Sequence, residues 1–519
     1  MGMNVGHLLS VSAARFADKI ALIQGNRKVS YRDYNNRVNA LANKLQQLDV
    51  RKGDKASVYL HNSIEWAEIY FALSKIGAVV VPINFRLKGD ELIHIVRNSE
   101  SKVLFFDLDS HQNVEEVKHE LTGITTFIAL DNNHAGTYVS YQQLFNESSK
   151  EEPGVLVSEE DIHSVCYTSG TTGMPKGAVL TNINIIMGHH LINSVEFNIR
   201  ADDITLATTP FSQRIGWAKI VTSASLGSTL VIMPSFNAEE VMKITEKQAV
   251  TNISIVPTIG RLILQLPNIE SYDTSSLRQF FISGEAFPVE LKRQLMERFP
   301  HVDLTSCFAS TESGQVTIMT TEDVLKKPDS VGIPLPCVEV KIVDESGGEV
   351  ETGEVGEIAV RSGTPGMYCI MKEYYKDPEN TKRAFLGGWL LMGDVGRLDD
   401  DGYLYVLDRK KDMIISGGFN IYSREVEAVL ESNKKVSEAA VIGVADEQFG
   451  EAVMAFVVLQ KGTKATGDEL IEYCKAKLAS YKKPKYIEFV DSLPRNIAGK
   501  VLKYRLKQDT DERILRRQR

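Results

Sequence analysis

The strongest constraint on the fold is an alternation that recurs along much of the chain, in which short β-prone apolar runs are separated by stretches of helical periodicity. Tyr34, Val38, Leu41, Leu45 and Leu48 fall on one helical face, and Ser30 with Asp33 reads as a capping box that opens this helix. Residues 55–60 are short and β-prone, residues 64–76 are helix-like, and residues 78–81 form a buried strand ended by Pro82. The same pattern returns in the strand-like runs 229–233, 253–256 and 280–283 and the helix-like run 238–248. Strands alternating with helices predict wound sheets with helical crossovers, whose ligands lie at the strand ends.

Between residues 338 and 406 the pattern changes to strands joined by turns, with DESGGE at 344–349 as a hairpin signal. Beyond Asp408 the alternation returns on a smaller scale, with strands near 439–444 and 455–459 and a helix near 469–478. A chain of 519 residues exceeds what one hydrophobic core usually organises. The expected architecture is α/β. A large N-terminal domain, residues 1–408, holds wound α/β subdomains and a β-rich subdomain, and a small, mobile α+β domain spans 409–519.

A net charge of -9 argues against a general nucleic-acid binder, so any polyanion must be held locally. The basic stretch 500–519 reads as a solvated helix face. The five cysteines are scattered without a CxxC pair and read as buried thiols in a reducing, cytoplasmic setting. The opening MGMNVGHLLS lacks an export pattern, and Gly6 stands where a myristoylation motif wants Ser or Thr. The most apolar window, 69–83, is interrupted by Lys75 and falls short of a membrane span.

The most distinctive local sequence is TSGTTGMPKG at 168–177, after the strand-like run 164–167. Its glycines free the backbone, and its hydroxyls, amides and lysine supply the donors a triphosphate needs. It is not a Walker A loop, because Pro175 and Gly177 flank Lys176 where that motif has Gly and then Ser or Thr. Taken alone it is equally a mobile Gly/Thr surface loop. No GxSxG elbow, HExxH helix or GxGxxG fingerprint is present, which removes the serine hydrolase, zincin and Rossmann dehydrogenase readings.

The decapeptide resembles the phosphate-binding signature of the adenylate-forming superfamily, which includes acyl-CoA synthetases, peptide-synthetase adenylation domains and firefly-type luciferases. The resemblance continues in order through SGEA (283–286), FASTE (308–312), WLLMGDVG (389–396), DRKKDMIISGG (408–418) and LPRNIAGK (493–500). It implies that Thr168, Ser169, Gly170, Thr171, Thr172, Gly173 and Lys176 hold ATP phosphates. Gly284, Glu285 and Ala286 line the adenine site, Phe308 stacks on the base, and Ser310 and Thr311 lie at the α-phosphate. The same resemblance gives Mg²⁺ to Glu312 with Thr168 and the ribose hydroxyls to Asp394 assisted by Arg409. Lys500, with Thr311, is the catalytic residue of adenylation. Lys411 is the hinge, and Gly417 and Gly418 form the wall along which the coenzyme A arm threads.

The chain departs from the family pattern at several positions. Phe308 stands for Tyr, which keeps the π-face but loses a hydroxyl. Ala309 replaces Gly, and Met392 replaces Thr. In the acid-pocket stretch 210–216, PFSQRIG, Gln213 stands where the family has His, and a neutral amide cannot copy a titrating imidazole. Arg214 is unexpected there. It is expected to point outward, leaving an apolar pocket shaped by Trp217, Thr258 and Ala309 that takes a fatty, alicyclic or aromatic monocarboxylate.

The expected function is therefore ATP-dependent carboxylic acid–CoA ligation, with ATP, Mg²⁺ and coenzyme A as the small molecules involved. A stand-alone adenylation enzyme that loads a carrier protein is the main rival. It ranks second because the sequence ends shortly after Lys500 without an appended carrier domain. A catalytically silent nucleotide-binding homologue is the other alternative. No nucleic-acid or integral-membrane partner is expected, and a homodimer is compatible with the sequence.

Overall fold

The computed structural model describes residues 3–131, 138–168, 174–283, 287–495 and 501–518. Among the described residues, two wound sheets of seven strands each carry the large N-terminal part. The first runs in the order Asp303–Ser306, Gln279–Ile282, Asn252–Ile255, Ile204–Ala207, Thr229–Ile232, Ile20–Gln24 and Arg27–Ser30, with all but the last strand parallel. The second places Ser101–Phe106, Lys55–Tyr59, Val79–Pro82 and Ile162–Thr168 side by side in parallel, and Lys176–Thr181 closes its edge antiparallel.

The elements follow the sequence logic. The helix Tyr31–Gln47 starts at Ser30, whose side chain accepts from the Asp33 amide, and buries Tyr34, Val38, Leu41 and Leu45. The helix Ile64–Ile76 is buried along its whole length, and its polar residues Glu65, Glu68 and Lys75 are paired with Arg27, Arg37 and Glu152. An additional helix, Val5–Arg15, buries Val5 and Leu9 in the core together with the small residues Gly6 and Ser12. A Cβ on Gly6 would meet the Lys75 backbone at 2.8 Å, so the close approach of the two helices requires glycine.

A five-stranded antiparallel sheet follows, with Glu339–Val343, Gly356–Arg361, Trp389–Leu398 and Leu404–Arg409 as its main strands. The DESGGE segment opens the connection between the first two of these. Asp344 Oδ1 accepts from the amides of Ser346 and Gly348, and Val343 pairs antiparallel with Glu349, so the chain turns back here as the hairpin the sequence signals before further loop leads to the second strand. Residue 410 onward builds a separate sheet from Ile414–Ser416, Phe419–Ile421, Val436–Asp446, Gly450–Leu459 and Tyr486–Phe489. This sheet packs on the helices Ser423–Glu431 and Gly467–Lys475 through its own core, which includes Val426, Leu430, Val441, Val457 and Leu470. The chain is thus α/β, with a large N-terminal part and a small C-terminal one.

Cys166, Cys307, Cys369 and Cys474 are buried free thiols as expected, whereas Cys337 is only half-buried, with its sulfur 3.7 Å from that of Cys369. Among the described residues no helix is long and apolar enough to cross a membrane.

Candidate active site

The glycine-rich decapeptide begins and ends on two paired strands. Strands Ile162–Thr168 and Lys176–Thr181 pair antiparallel, and Thr168 with Lys176 is their last register pair. Ser169, Gly170, Thr171, Thr172 and Gly173 lie outside the described residues, but both ends of the loop are fixed. Lys176 Nζ donates to Asn380 Oδ1 at 2.8 Å and borders a polar cleft shared with His94, Asn98, Lys376 and Arg383.

FASTE forms a second, smaller hairpin. Ala309–Ser310 pairs with Gly314–Gln315, and Gly314 at φ 69° allows the chain to turn back, so Thr311, Glu312 and Ser313 occupy the tip. Ser310 locks the turn by exchanging bonds with Ser313, whose amide donates to Ser310 Oγ at 3.0 Å. Phe308 and Ala309 are half-buried. The two hairpins meet at Glu312, whose Oε1 accepts from Thr168 Oγ1 at 3.2 Å and from Tyr374 Oη at 3.0 Å. The Met371 amide donates to the Glu312 carbonyl at 2.7 Å.

Tyr374 is a member of this group that the sequence did not mark. It lies in an irregular segment whose residue types signal nothing, and only the fold brings it to Glu312. Burial raises its phenol far above the usual range, so it stays a hydrogen-bond donor. Among the described residues no three His, Cys, Asp or Glu side chains cluster as a metal cage. One carboxylate beside two hydroxyls is a hard-oxygen set that fits Mg²⁺ sharing its remaining positions with phosphate and water.

Asp394 and Arg409 face each other across paired strands, with the Arg409 Nε 3.0 Å from Asp394 Oδ1. Asp394 is 1% exposed, so its carboxylate is held with a fixed orientation. Met392, two residues earlier, is buried in the core. Lys411 follows within the turn after Leu404–Arg409, and burial, followed by repulsion from Arg409 and Lys503, lowers its proton affinity. Gly417 and Gly418, at φ 57° and 83°, form the two-residue turn between Ile414–Ser416 and Phe419–Ile421. Two positive φ values mark the turn type that glycines favour. The exposed rings of Phe419 and Tyr481 stack beside this turn at 4.7 Å. Gly284, Glu285, Ala286 and Lys500 lie outside the described residues.

The expectation for Arg214 is overturned. Arg214 is the first residue of the helix Arg214–Leu226 and is 8% exposed. Its Nη1 donates to the Thr311 carbonyl at 2.6 Å, and its Nε to His189 Nε2 at 3.4 Å. The outward reading assumed a loop. The helix start instead aims the side chain back under the FASTE hairpin. Trp217, fully buried between Tyr70 and His189, supports this helix from behind. Gln213 is the helix cap residue and makes no side-chain capping bond. Thr258 lies in the helix Pro257–Leu264, and its hydroxyl is buried without a partner among the described residues. An imidazole does sit in this region, contributed by His189. Burial first, then Arg214 and Lys219, holds His189 well below the usual histidine range, so it is neutral.

Residues 9–375 match the family described as AMP-binding enzyme, and residues 425–500 match the AMP-binding enzyme C-terminal domain. The long-chain-fatty-acid CoA ligase FadD13 of Mycobacterium tuberculosis is 34% identical over 487 residues, covering 93% of each chain. The feruloyl-CoA synthase of an Amycolatopsis species is 34% identical over 486 residues, covering 93% of this chain and 94% of that protein. Among solved structures, the anthranilate CoA ligase AuaEII in complex with anthranoyl-AMP superposes with a TM-score of 0.93 at 27% identity, covering 99% of this chain and 98% of that one.

Proposed function

The chain belongs to the AMP-binding enzyme family, and from that premise we propose that it is an ATP-dependent carboxylic acid–CoA ligase that works in two half-reactions. In the first, a carboxylate oxygen of the acid attacks the α-phosphorus of ATP. The bond to the bridging oxygen breaks, pyrophosphate leaves, and an acyl-adenylate remains. In the second, the thiol of coenzyme A attacks the acyl carbon, AMP leaves, and the thiol proton passes to solvent.

The observation that carries this reading is the convergence of Thr168 and Tyr374 on Glu312, which joins the glycine-rich hairpin to the FASTE turn. Glu312 and Thr168 would hold Mg²⁺, which supplies charge neutralisation at the phosphates. Lys176 and the loop residues Ser169 to Gly173 would cradle the β- and γ-phosphates, and Thr311 would donate to the α-phosphate. Asp394 would accept from the ribose hydroxyls while Arg409 fixes its carboxylate. Phe308 would stack on adenine beside Gly284, Glu285 and Ala286. Lys500 would sit between the two approaching anions and lower the repulsion that opposes their reaction.

The second half-reaction needs the C-terminal part to present another face. We place the domain boundary at 408/409 and the hinge at Lys411, which follows the last strand of one sheet and precedes the first strand of the next. Gly417 and Gly418 would then border the thiol's path. Product analysis tests the proposal: thioester, AMP and pyrophosphate should form in equal amounts from acid, ATP and CoA. ADP as the nucleotide product would sink it.

A further inference from the structure

Arg214 is a buried cation without a carboxylate within ion-pair distance among the described residues. Two of its nitrogens are engaged by the Thr311 carbonyl and His189, while Nη2 is buried and has no partner among the described residues. Its place at the start of a helix adds to the cost, because a positive charge opposes the helix dipole there. Burying this charge without an ion-pair partner is a cost to the fold, and a ligand is the natural counterpart of Nη2.

A second unpartnered atom faces the same place. Gln315 is 6% exposed, and its Oε1 is buried without a partner among the described residues. Its orientation is dictated by a relay. The Thr222 hydroxyl gives its one proton to the His189 carbonyl at 2.8 Å, so it must accept from the Asn193 amide nitrogen at 2.7 Å. Asn193 Oδ1 therefore accepts from the Gln315 amide nitrogen at 2.7 Å, which leaves the Gln315 oxygen facing away from the relay. Both orphan atoms lie against Gly188, whose missing side chain lets them approach its backbone. A Cβ placed there would lie 3.3 Å from Gln315 Oε1 and 3.6 Å from Arg214 Nη2. Gly188 belongs to the π-helix Met187–Ile192, an irregularity that recurs at functional sites.

We propose that Arg214 and Gln315 recognise a hydroxyl group on the acid, remote from its reacting carboxyl, and so make the enzyme selective for hydroxylated carboxylic acids. The inference rests on the ligase reading above, because Arg214 is placed beside the reaction centre by its bond to Thr311. A hydroxyl satisfies both atoms at once, accepting from Nη2 and donating to Oε1. A second carboxylate would suit Arg214 but would set its oxygens against that of Gln315. A plain alkyl group would leave both protein atoms unpaired, which is the situation in which sites built for a hydroxyl reject the analogue that lacks it.

The test is kcat/KM for acid-dependent pyrophosphate exchange on straight-chain acids from butanoate to octanoate, each with its ω-hydroxy and ω-carboxy counterpart, and on phenylpropanoate with its para-hydroxy derivative. A hydroxy acid should exceed its unsubstituted partner by about 10-fold or more. In Gln315→Leu that ratio should fall to within about 3-fold of unity. Gly188→Ala, whose methyl would press on Gln315 Oε1 at 3.3 Å and stand 3.6 Å from Arg214 Nη2, should act in the same direction and guards against a Gln315 variant that fails to fold. Equal rates on hydroxy and unsubstituted acids, a preference for the ω-carboxy series, or a hydroxy preference that survives both substitutions overturns the inference and leaves the ligase reading standing. Exchange with no acid at all overturns both.

Discussion

The Thr168 hydroxyl lies 3.2 Å from Glu312 Oε1, although 144 residues separate them in the chain. The contact ties the last residue of a sheet strand to the tip of a separate hairpin, and with Tyr374 it makes Glu312 the point on which the phosphate end of the site is organised.

Glu312→Gln should lower acid-dependent pyrophosphate exchange by about 10²-fold or more, because a charged group at the reaction centre contributes a few kcal/mol. It should also raise the Mg²⁺ concentration needed for half-maximal rate. Tyr374→Phe removes one hydrogen bond to the same carboxylate and should cost about 3- to 10-fold. Mg²⁺ titrations of both variants read this directly, and an unchanged Mg²⁺ dependence in Glu312→Gln would remove the metal from that position.

Lys500→Ala should reduce acyl-adenylate formation by about 10²-fold while sparing the transfer of preformed acyl-adenylate to CoA. Stopped assays that start from the acid and from a synthetic acyl-adenylate separate the two steps. Equal losses in both would refute a role confined to adenylation.

Gly418→Val and Lys411→Pro should do the opposite, slowing thioester formation by about 10-fold or more while exchange stays within about 3-fold. At φ 83°, position 418 has open space for a side chain but a backbone conformation that strains valine by about 1–3 kcal/mol, so the turn beside Phe419 must move. Loss of both activities in a folded variant would mean that the hinge and the thiol path lie elsewhere.

Lys219 gives a pH prediction. Burial lowers its pKa to about 8, against an ordinary lysine value of 10.5 in the unfolded chain. Below pH 8 the residue is charged in both states and its burial cost is fully present. Between pH 8 and 10.5 the folded state loses the proton while the unfolded state keeps it, so this residue's contribution to stability rises with pH. Lys219→Met should therefore stabilise the protein at pH 7, on the order of 1–3 kcal/mol, with the gain shrinking as pH rises through that window. Thermal midpoints of the two proteins from pH 7 to 10.5 measure it, and a constant difference would contradict the assignment.

Much of the fold was legible because its signals are local. The helix after Ser30 announces its cap and its apolar face, and the strand before the glycine-rich loop is a short run ended by that loop, whereas its partner Lys176–Thr181 was not legible because it begins inside the glycine-rich motif. The helix Val5–Arg15 escaped because its buried face, Val5, Gly6, Leu9 and Ser12, carries only two large apolar residues, too few for a clear hydrophobic period. The site divides the same way. Glu312, Thr168, Asp394 and Arg409 lie in compact motifs, and the fold brings them together in the pairs Thr168–Glu312 and Asp394–Arg409. Tyr374 and His189 reach the site only through tertiary packing and no spacing marks them, while Gln315 lies on the return strand of the FASTE hairpin, just past the motif that marks it. Arg214 was misread for a physical reason: a long cation in a presumed loop usually turns to water, but a helix begins there and directs it onto the Thr311 carbonyl.

The most direct measurement of the central claim is acid-dependent exchange of labelled pyrophosphate into ATP by the wild-type protein across a panel of carboxylic acids, with Glu312→Gln in parallel. The account predicts exchange that requires an acid and Mg²⁺ and that falls by about 10²-fold in the variant. Exchange with none of the acids by folded, ATP-binding protein, or exchange that the variant leaves intact, would contradict it.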